Sequence, residues 1–401
     1  MEKEDKSLQS TIMVSLITAI CLLGDSMLYV VLPLYWQDFG LDTLWQVGIL
    51  LSVNRLVRLP FNAMAVWFYD RFGQRNCMVL AVILAIVTTA MYSFLMNFWL
   101  LVVVRSVWGI AWTFLRLGAY FSILHYAPLS QLGYHMGIYN GVFRLGSLFG
   151  MLLGALIAEF IAPTMTGYVF AVCSIFALPL VFIYIPKELP SHREEKAKED
   201  KVSSYDRTAK GVLLNSFSTA FVYQGIFISM LSYLAGYNNI RLDFLAVYGF
   251  GAASIVGILQ AMRWAWEPWL APKIGRMSDG KWGRASLLRA FCACAAALFL
   301  VVSFAMPVWL WLIIIILLQF AGTGITTLSD AVASDVALGQ KNKVKFMGAH
   351  SFAIDFGSAI GPIVGYTLNS YLGIHAVFIV ASMVLLAMTF VWYRLKLRVI
   401  D

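Results

Sequence analysis

Apolar stretches long enough to cross a lipid bilayer recur along nearly the whole chain, and only short polar segments separate them. A bilayer core of about 30 Å takes about 20 apolar residues per helix. With 61% hydrophobic and 12% charged residues, the chain lacks the polar surface of a water-soluble domain. We therefore predict an all-α integral membrane protein with twelve transmembrane helices at residues 11–34, 44–68, 78–96, 99–125, 136–160, 165–186, 211–235, 244–272, 286–306, 308–335, 346–371 and 374–393.

A glycine pattern in the fifth predicted span recurs in the eleventh, 211 residues later. A second repeat joins the second and eighth spans, where Arg55 and Pro60 correspond to Arg263 and Pro268. Internal repeats of this kind are typical of transporters with a site between two halves. We predict two pseudo-symmetric six-helix bundles, residues 1–186 and 211–401, joined by a charged cytoplasmic linker at 187–210. The repeated glycines are Gly137, Gly146, Gly150 and Gly154, then Gly348, Gly357, Gly361 and Gly365.

The net charge of +8 is unevenly distributed among the loops. Because basic loops stay on the cytoplasmic side of a membrane, this asymmetry indicates topology and not a nucleic-acid partner. We expect a multi-pass protein of the bacterial inner membrane, with both termini in the cytoplasm. The opposite loops hold Asp38, Asp42, Arg241 and Asp243. The basic loops carry Lys273, Arg276, Lys281, Arg284, Lys341, Lys343, Lys345, Arg394, Lys396 and Arg398.

A short charged turn follows the second span and recurs after the eighth. The first turn reads Asp70-Arg71-Phe72-Gly73-Gln74-Arg75, and the second contains Asp279, Gly283 and Arg284. The first turn resembles the conserved loop of the major facilitator superfamily, from which Val66 and Gln74 depart. Arg105 and Gly109 match that family's fourth-span pattern, and the resemblance covers the whole chain.

The resemblance implies two six-helix bundles that open alternately to either side of the membrane. It also implies that the two turns are gating latches. Asp70 is expected to hold the start of the eleventh span, and Asp279 the start of the fifth. Arg105 and Arg263 are expected to have coupling or structural roles.

The glycine pattern resembles the fifth-span signature of exporters in this superfamily. Met151 and Ala155 replace two signature residues, whereas the eleventh span keeps Gly361-Pro362 and loses the final glycine to Tyr366. This resemblance favours export. Glycines spaced four apart let two helix backbones approach closely. We expect this seam to pack on a helix of the other half, either as a hinge or as plain packing.

Acidic residues inside spans are candidates for carrying a coupling proton, because intramembrane charges are costly and mark functional sites. Asp25 in the first span is the main candidate, followed by Asp355 and Glu267, with Asp330 a lesser one. Burial raises a carboxyl pKa and a nearby arginine lowers it. A conformational change can therefore load and release a proton. Asp25 can instead form a buried ion pair that only fixes helix packing, and sodium remains an alternative to the proton.

Arginines outnumber acidic residues in the first half's spans, which suggests an anionic or zwitterionic substrate. The guanidinium group is permanently charged and suits carboxylate or phosphate groups. Aromatic side chains nearby can flank an amphipathic body. The substrate-binding candidates are Arg55, Arg58, Arg116 and Arg144, together with Tyr29 and Trp112. Arg144 and Asp355 each precede the second glycine of their pattern by two residues, so both should face a cavity or a partner inside their bundle.

Three hypotheses follow from these residues. The first is a proton-coupled antiporter that exports a small organic molecule by alternating access, and its close rival is a proton symporter that imports an anionic nutrient. The third is a lipid flippase or a transport-dead membrane sensor. We expect no enzyme activity, cofactor or metal site, because the chain lacks the metal-ligand and nucleotide-loop motifs. The expected partners are a small-molecule substrate and the bilayer, and the expected state is a monomer.

Overall fold

The computed structural model describes residues 2–94, 96–126, 132–187, 206–238, 251–280, 283–340 and 343–394. All regular secondary structure in these ranges is helical, which confirms the all-α prediction. The side chains of Asp279 and Lys343 are not among the described features. Other predicted features lie outside the described residues: the linker at 188–205, Arg241, Asp243, Lys281, Lys341, Lys396 and Arg398.

The described residues of each of the twelve predicted spans form helices, and the eighth span is described only from residue 251. In the first half they are α1 (Glu2–Leu34), α2 (Leu44–Phe72), α3 (Gln74–Met91), α4 (Phe98–Tyr126), α5 (Leu132–Phe160), and a sixth span divided into α6 (Met165–Ile175) and α7 (Ala177–Tyr184). In the second half they are α8 (Arg207–Thr219) and α9 (Ile228–Tyr237) in one span, then α10 (Ala252–Asp279), α11 (Arg284–Val301), α12 (Val308–Leu338), α13 (Lys343–Leu372) and α14 (Ile374–Arg394).

Length and hydropathy alone identify fewer spans than this succession of helices. Within the described ranges, nine helical segments are long and apolar enough to cross a membrane. The bent helix α2, with parts at 64° to each other, makes a tenth if it counts as one span. Helices α10 and α13 are not among these spans. Both contain charged residues, such as Arg263 and Asp355, so the internal repeat identifies them better than hydropathy does.

The seventh span is not a continuous α-helix. A π-helix, Ala220–Phe227, joins α8 to α9. It contains Gly225, where an added Cβ atom would lie 2.6 Å from the Cα of Gly361 on α13. Short π segments inside helices often occur at functional positions. Composition does not predict this change of hydrogen-bond register.

Two compact units make up the chain. The first contains Met1–Ala197 together with Gly249–Trp264, and the second contains Lys198–Tyr248 together with Ala265–Asp401. Helix α10 therefore begins in the first unit and continues in the second. In the first unit, Tyr69 is fully buried and donates a hydrogen bond to the Phe114 carbonyl oxygen at 2.5 Å. This contact joins α2 to α4.

Candidate functional site

Asp25 and Arg105 form a buried ion pair between α1 and α4. Their side chains are 7% and 1% exposed, and Arg105 Nη1 donates to Asp25 Oδ1. Asn54 of α2 donates from Nδ2 to the same carboxylate oxygen at 3.1 Å. Two long apolar helices thus carry opposite charges that meet away from water, where an unpaired charge is costly.

Arg105 has further partners that hold it in place. Its Nε donates to the Leu50 carbonyl oxygen at 2.9 Å, and Nη1 lies 3.4 Å from the Tyr92 hydroxyl. The remaining nitrogen, Nη2, is buried and has no hydrogen-bond partner among the described residues. The network is therefore not fully satisfied in the observed arrangement, and a buried donor without a partner costs about 1 to 3 kcal/mol.

Glycines allow these helices to approach closely enough for the pair to form. A Cβ atom on Gly109 of α4 would lie 3.0 Å from the Asn54 carbonyl carbon. A Cβ atom on Gly24 would lie 2.6 Å from Thr89 Oγ1 of α3. The spacing of Arg105 and Gly109 therefore has a direct structural reason, since Gly109 admits the α2 backbone one turn from the arginine.

Two predicted substrate-binding arginines on α2 lie against aromatic rings. The guanidinium carbon of Arg55 is 5.5 Å from the centre of the Tyr29 ring. That of Arg58 is 5.9 Å and 5.4 Å from the rings of Trp108 and Trp112. The two indoles stack with their centres 5.8 Å apart. Arginine on an aromatic face gains about 0.5 to 2 kcal/mol, so these contacts orient the guanidinium groups.

Arg116 and Arg144 have aromatic partners that the sequence did not indicate. Arg116 Nε donates to the Tyr120 hydroxyl at 3.2 Å, within the same helix. The guanidinium carbon of Arg144 is 5.4 Å from the Trp264 ring centre, and that of Arg263 is 5.6 Å from the same ring. Trp264 thus brings together one arginine of α5 and one of α10, both within the first unit.

The candidates in the second unit are more dispersed. Asp355 is half-buried on α13, and Glu267 is half-buried on α10. Asp330 Oδ1 of α12 lies 3.1 Å from His350 Nε2. His350 is 3% exposed, and its Nδ1 lies 2.7 Å from Ser216 Oγ of α8. Sequence reasoning missed this chain of three polar groups because they are far apart in sequence.

The glycine that precedes the next helix in each charged turn has a similar backbone conformation. Gly73 precedes α3 with φ +78°, and Gly283 precedes α11 with φ +67°. Only glycine adopts this conformation readily, so the duplicated glycine has a backbone reason. Asp70 and Arg71 are exposed at the end of α2. Arg75 Nε donates to the Ile185 carbonyl oxygen at 2.8 Å.

In the second unit, Arg284 has partners on α12. Its Nη1 lies 2.5 Å from Asp335 Oδ1 and donates to the Ala331 carbonyl oxygen at 3.1 Å. Both charged side chains are partly exposed, at 29% and 45%. The turn is therefore tied to its own bundle by the arginine that follows Gly283.

The glycine seam packs on a different helix from the one expected. An added Cβ on Gly146 would lie 2.7 Å from the Ala19 Cα, and one on Gly150 would lie 2.5 Å from the Leu23 carbonyl oxygen. Gly154 meets Met27 in the same way. The prediction of contact with a helix of the other half is thus wrong for these glycines, because their face of α5 lies on α1.

The glycines of the eleventh span likewise pack on a helical span of their own half, the seventh. Added Cβ atoms on Gly357 and Gly361 would lie 3.1 Å from the Phe221 nitrogen and 2.6 Å from the Phe221 carbonyl oxygen. Gly365 would meet Met230. Pro362 lies inside α13 within this stretch. At the first glycine of each pattern, Gly137 and Gly348, an added Cβ would meet no described atom within 4 Å.

No group of three or more His, Cys, Asp or Glu side chains among the described residues is arranged to hold a metal ion. The described site consists instead of one buried acid–arginine pair and several arginine–aromatic contacts. Such groups can bind anions and exchange a proton.

The family model of the Major Facilitator Superfamily matches residues 14–270 and 268–399. The chain belongs to this family of membrane transporters, which are not enzymes. It is 23% identical over 381 residues to the multidrug resistance protein MdtG of Dickeya zeae, covering 91% of this chain and 89% of that protein. It is also 23% identical over 228 residues to an uncharacterized MFS-type transporter of Methanocaldococcus jannaschii, covering 55% of this chain and 59% of that protein.

Solved structures show the same fold. A bacterial homologue of the human lysosomal transporter Spinster superposes with a TM-score of 0.71 at 14% identity, covering 97% of this chain and 96% of that one. This likeness confirms the major facilitator fold that the sequence predicted.

Proposed function

We propose that this transporter is a proton-coupled antiporter that exports a small organic molecule bearing an anionic or zwitterionic group. The buried Asp25–Arg105 pair carries the proposal. It combines a carboxylate, which can bind and release a proton, with a guanidinium, which stays charged. The export direction draws support from the multidrug resistance name of the Dickeya zeae relative.

The pair suggests how proton binding would change the protein. Removing the charge of one member of a buried ion pair costs about 3 to 5 kcal/mol. Protonation of Asp25 is therefore favourable only if Arg105 gains another partner or the local helices move. Arg105 already contacts Leu50 and Tyr92, and its Nη2 lacks a partner among the described residues. A shift towards such partners would link the proton to the positions of α1, α2 and α4.

The arginine–aromatic contacts support the substrate class. Arg55 and Arg58 follow Asn54 on α2, and Asn54 donates a hydrogen bond to Asp25. The candidate substrate-binding residues of α2 are therefore close in sequence to the proposed proton site. A guanidinium that rests on a ring is pre-oriented, and its fork geometry suits a carboxylate or phosphate. An anion bound there would alter the field at Asp25, which gives a physical route for exchanging substrate and proton.

The experiment that tests this function is untargeted mass spectrometry of cells and medium. Strains would express the parent chain or Asp25→Asn at equal abundance, with Asp38→Asn as a control at an exposed carboxylate. Export predicts an anionic or zwitterionic compound that accumulates in the medium with the parent and the control but not with Asp25→Asn. Accumulation inside the cell would instead identify a proton symporter for an anionic nutrient. Unchanged export by Asp25→Asn would refute the assignment of Asp25.

We further propose that the chain acts as a monomer in a bacterial inner membrane, with both termini in the cytoplasm. The orientation rests on the basic residues of the loops that follow α10, α12 and α14. Accessibility of a tag at either terminus, in intact and in permeabilised cells, tests it. Tag binding in intact cells would contradict the orientation.

A further inference from the structure

A carboxylate at the end of α5 binds the start of α10. Glu159 Oε2 accepts a hydrogen bond from the Ser254 backbone N–H at 3.0 Å and another from the Ser254 hydroxyl. Ser254 is fully buried and lies in the first turn of α10. The N-terminal end of a helix carries N–H groups without intrahelical partners and a partial positive charge. Glu159 therefore stabilises this helix end with a negative charge and two hydrogen bonds.

Small residues bring the two helices together at the same place. An added Cβ on Gly251 would collide with Glu159 Oε1. About two turns further along α10, a Cβ on Gly257 would lie 2.5 Å from the Ala155 Cβ and 3.0 Å from the Met151 carbonyl oxygen. Because Met151, Ala155 and Glu159 are spaced four apart on α5, they form one stripe along α10.

The acidic group lies close to the segment between α1 and α2. Burial, and then the negative charges of Glu159 and Asp38, raise the pKa of Tyr35 to about 12. Tyr35 directly follows α1. Gly154 of α5 packs on Met27 of α1. Glu159 is five residues further along α5, so its contact with Ser254 lies at the end of the first unit that carries the α1–α2 connection.

Helix α10 is shared between the two compact units. Residues Gly249–Trp264 belong with the first unit, although the rest of the helix belongs with the second. The contacts of Glu159, Ala155 and Met151 are part of what holds this segment on α5. A transporter that opens alternately to the two sides must rearrange such a shared helix relative to one of its bundles.

We propose that Glu159 is a latch, which holds residues 251–264 on α5 through Ser254 and releases them when the transport cycle opens this end of the first unit. The inference requires that the chain be an alternating-access transporter. It does not require proton coupling, a particular substrate or export.

The test is a distance measurement in purified, lipid-reconstituted protein without substrate or proton gradient. Leu153 of α5 and Ile258 of α10 are 42% and 40% exposed, so each can be changed to cysteine and spin-labelled, with the five native cysteines replaced. Electron–electron resonance then reports the separation of the two helices. Losing one charge-assisted hydrogen bond should change the ratio of separated to closed molecules about tenfold.

Three latch variants and two controls make the test specific. Glu159→Gln removes the charge, Ser254→Ala removes the hydroxyl donor, and Gly251→Ala displaces the carboxylate without changing either partner. Gly275→Ala is the matched control, because it makes the same substitution in the same helix where an added Cβ would meet no described atom within 4 Å. Asp38→Asn controls for the loss of a nearby carboxylate.

The latch predicts a longer-distance population in all three latch variants and a parent-like distribution in both controls. Parent-like distributions in Glu159→Gln and Gly251→Ala would overturn the proposal. Equal opening in Gly275→Ala or Asp38→Asn would overturn it too, because the effect would then not depend on this contact. Neither result depends on the proton-coupled export proposed above, which the mass-spectrometric comparison tests separately.

Discussion

Replacing Gly146 by alanine tests the packing of α5 on α1. The added methyl group would lie 2.7 Å from the Ala19 Cα, whereas carbon atoms pack best at about 3.5 to 4.0 Å. The two helices would therefore have to separate by about 1 Å at this point. Because the obstructing atoms belong to the backbone, no side-chain rotation can relieve the contact.

The expected cost can be worked out from this displacement. Overpacking a close contact costs about 1 to 3 kcal/mol, and the better helix propensity of alanine returns at most about 1 kcal/mol. The net loss is therefore up to about 2 kcal/mol, which corresponds to a fall in Tm of up to roughly 8 °C for a unit of about 200 residues.

Thermal unfolding of the detergent-solubilised protein, followed by tryptophan fluorescence, measures this change. Gly137→Ala is the matched control on the same helix, because an added Cβ there would meet no described atom within 4 Å. We expect its Tm to equal or exceed that of the parent. If Gly146→Ala were as stable as Gly137→Ala, the close packing of α5 on α1 would be refuted.

Three further substitutions have defined expectations. Asn54→Ala removes a donor to the buried Asp25 carboxylate. Denaturant unfolding should show a loss of about 1 to 3 kcal/mol in the free energy of unfolding. An unchanged midpoint would contradict the network. Arg284→Gln breaks a partly exposed ion pair with Asp335, so calorimetry should detect a loss of at most about 1 kcal/mol in the free energy of unfolding. A larger loss would show that this surface pair contributes more to stability than its exposure suggests. Asp70→Asn should reduce turnover more than substrate binding if the turn is a latch, and unchanged turnover in a transport assay would exclude that role.

The positions of the helices could be predicted because lipid imposes one simple rule. A chain in the bilayer core must satisfy its backbone hydrogen bonds internally, so each long apolar stretch becomes a helix. Helices α10 and α13 are less apolar; their spans were predicted from apolar stretches like the others, and the internal repeat supports both. The π-helix at Ala220–Phe227 was missed because a shift of hydrogen-bond register leaves no mark in composition.

The contents of the site were easier to predict than its contacts. Asp25 and Arg105 stand out as charges in apolar spans, but 80 positions separate them and nothing in their spacing shows that they meet. Asn54 could have been suspected as a buried polar residue beside Arg55. The packing partner of the glycines was mispredicted because glycine spacing shows that a helix comes close, and does not show which helix.

The central claim is that Asp25 exchanges a proton for substrate, and proton movement tests it most directly. Parent protein and Asp25→Asn would be reconstituted in vesicles containing a pH-sensitive dye, and the compound found by mass spectrometry would then be added. The account predicts a substrate-dependent pH change with the parent and none with Asp25→Asn, although the variant still binds the compound. Equal pH changes with both proteins would contradict it.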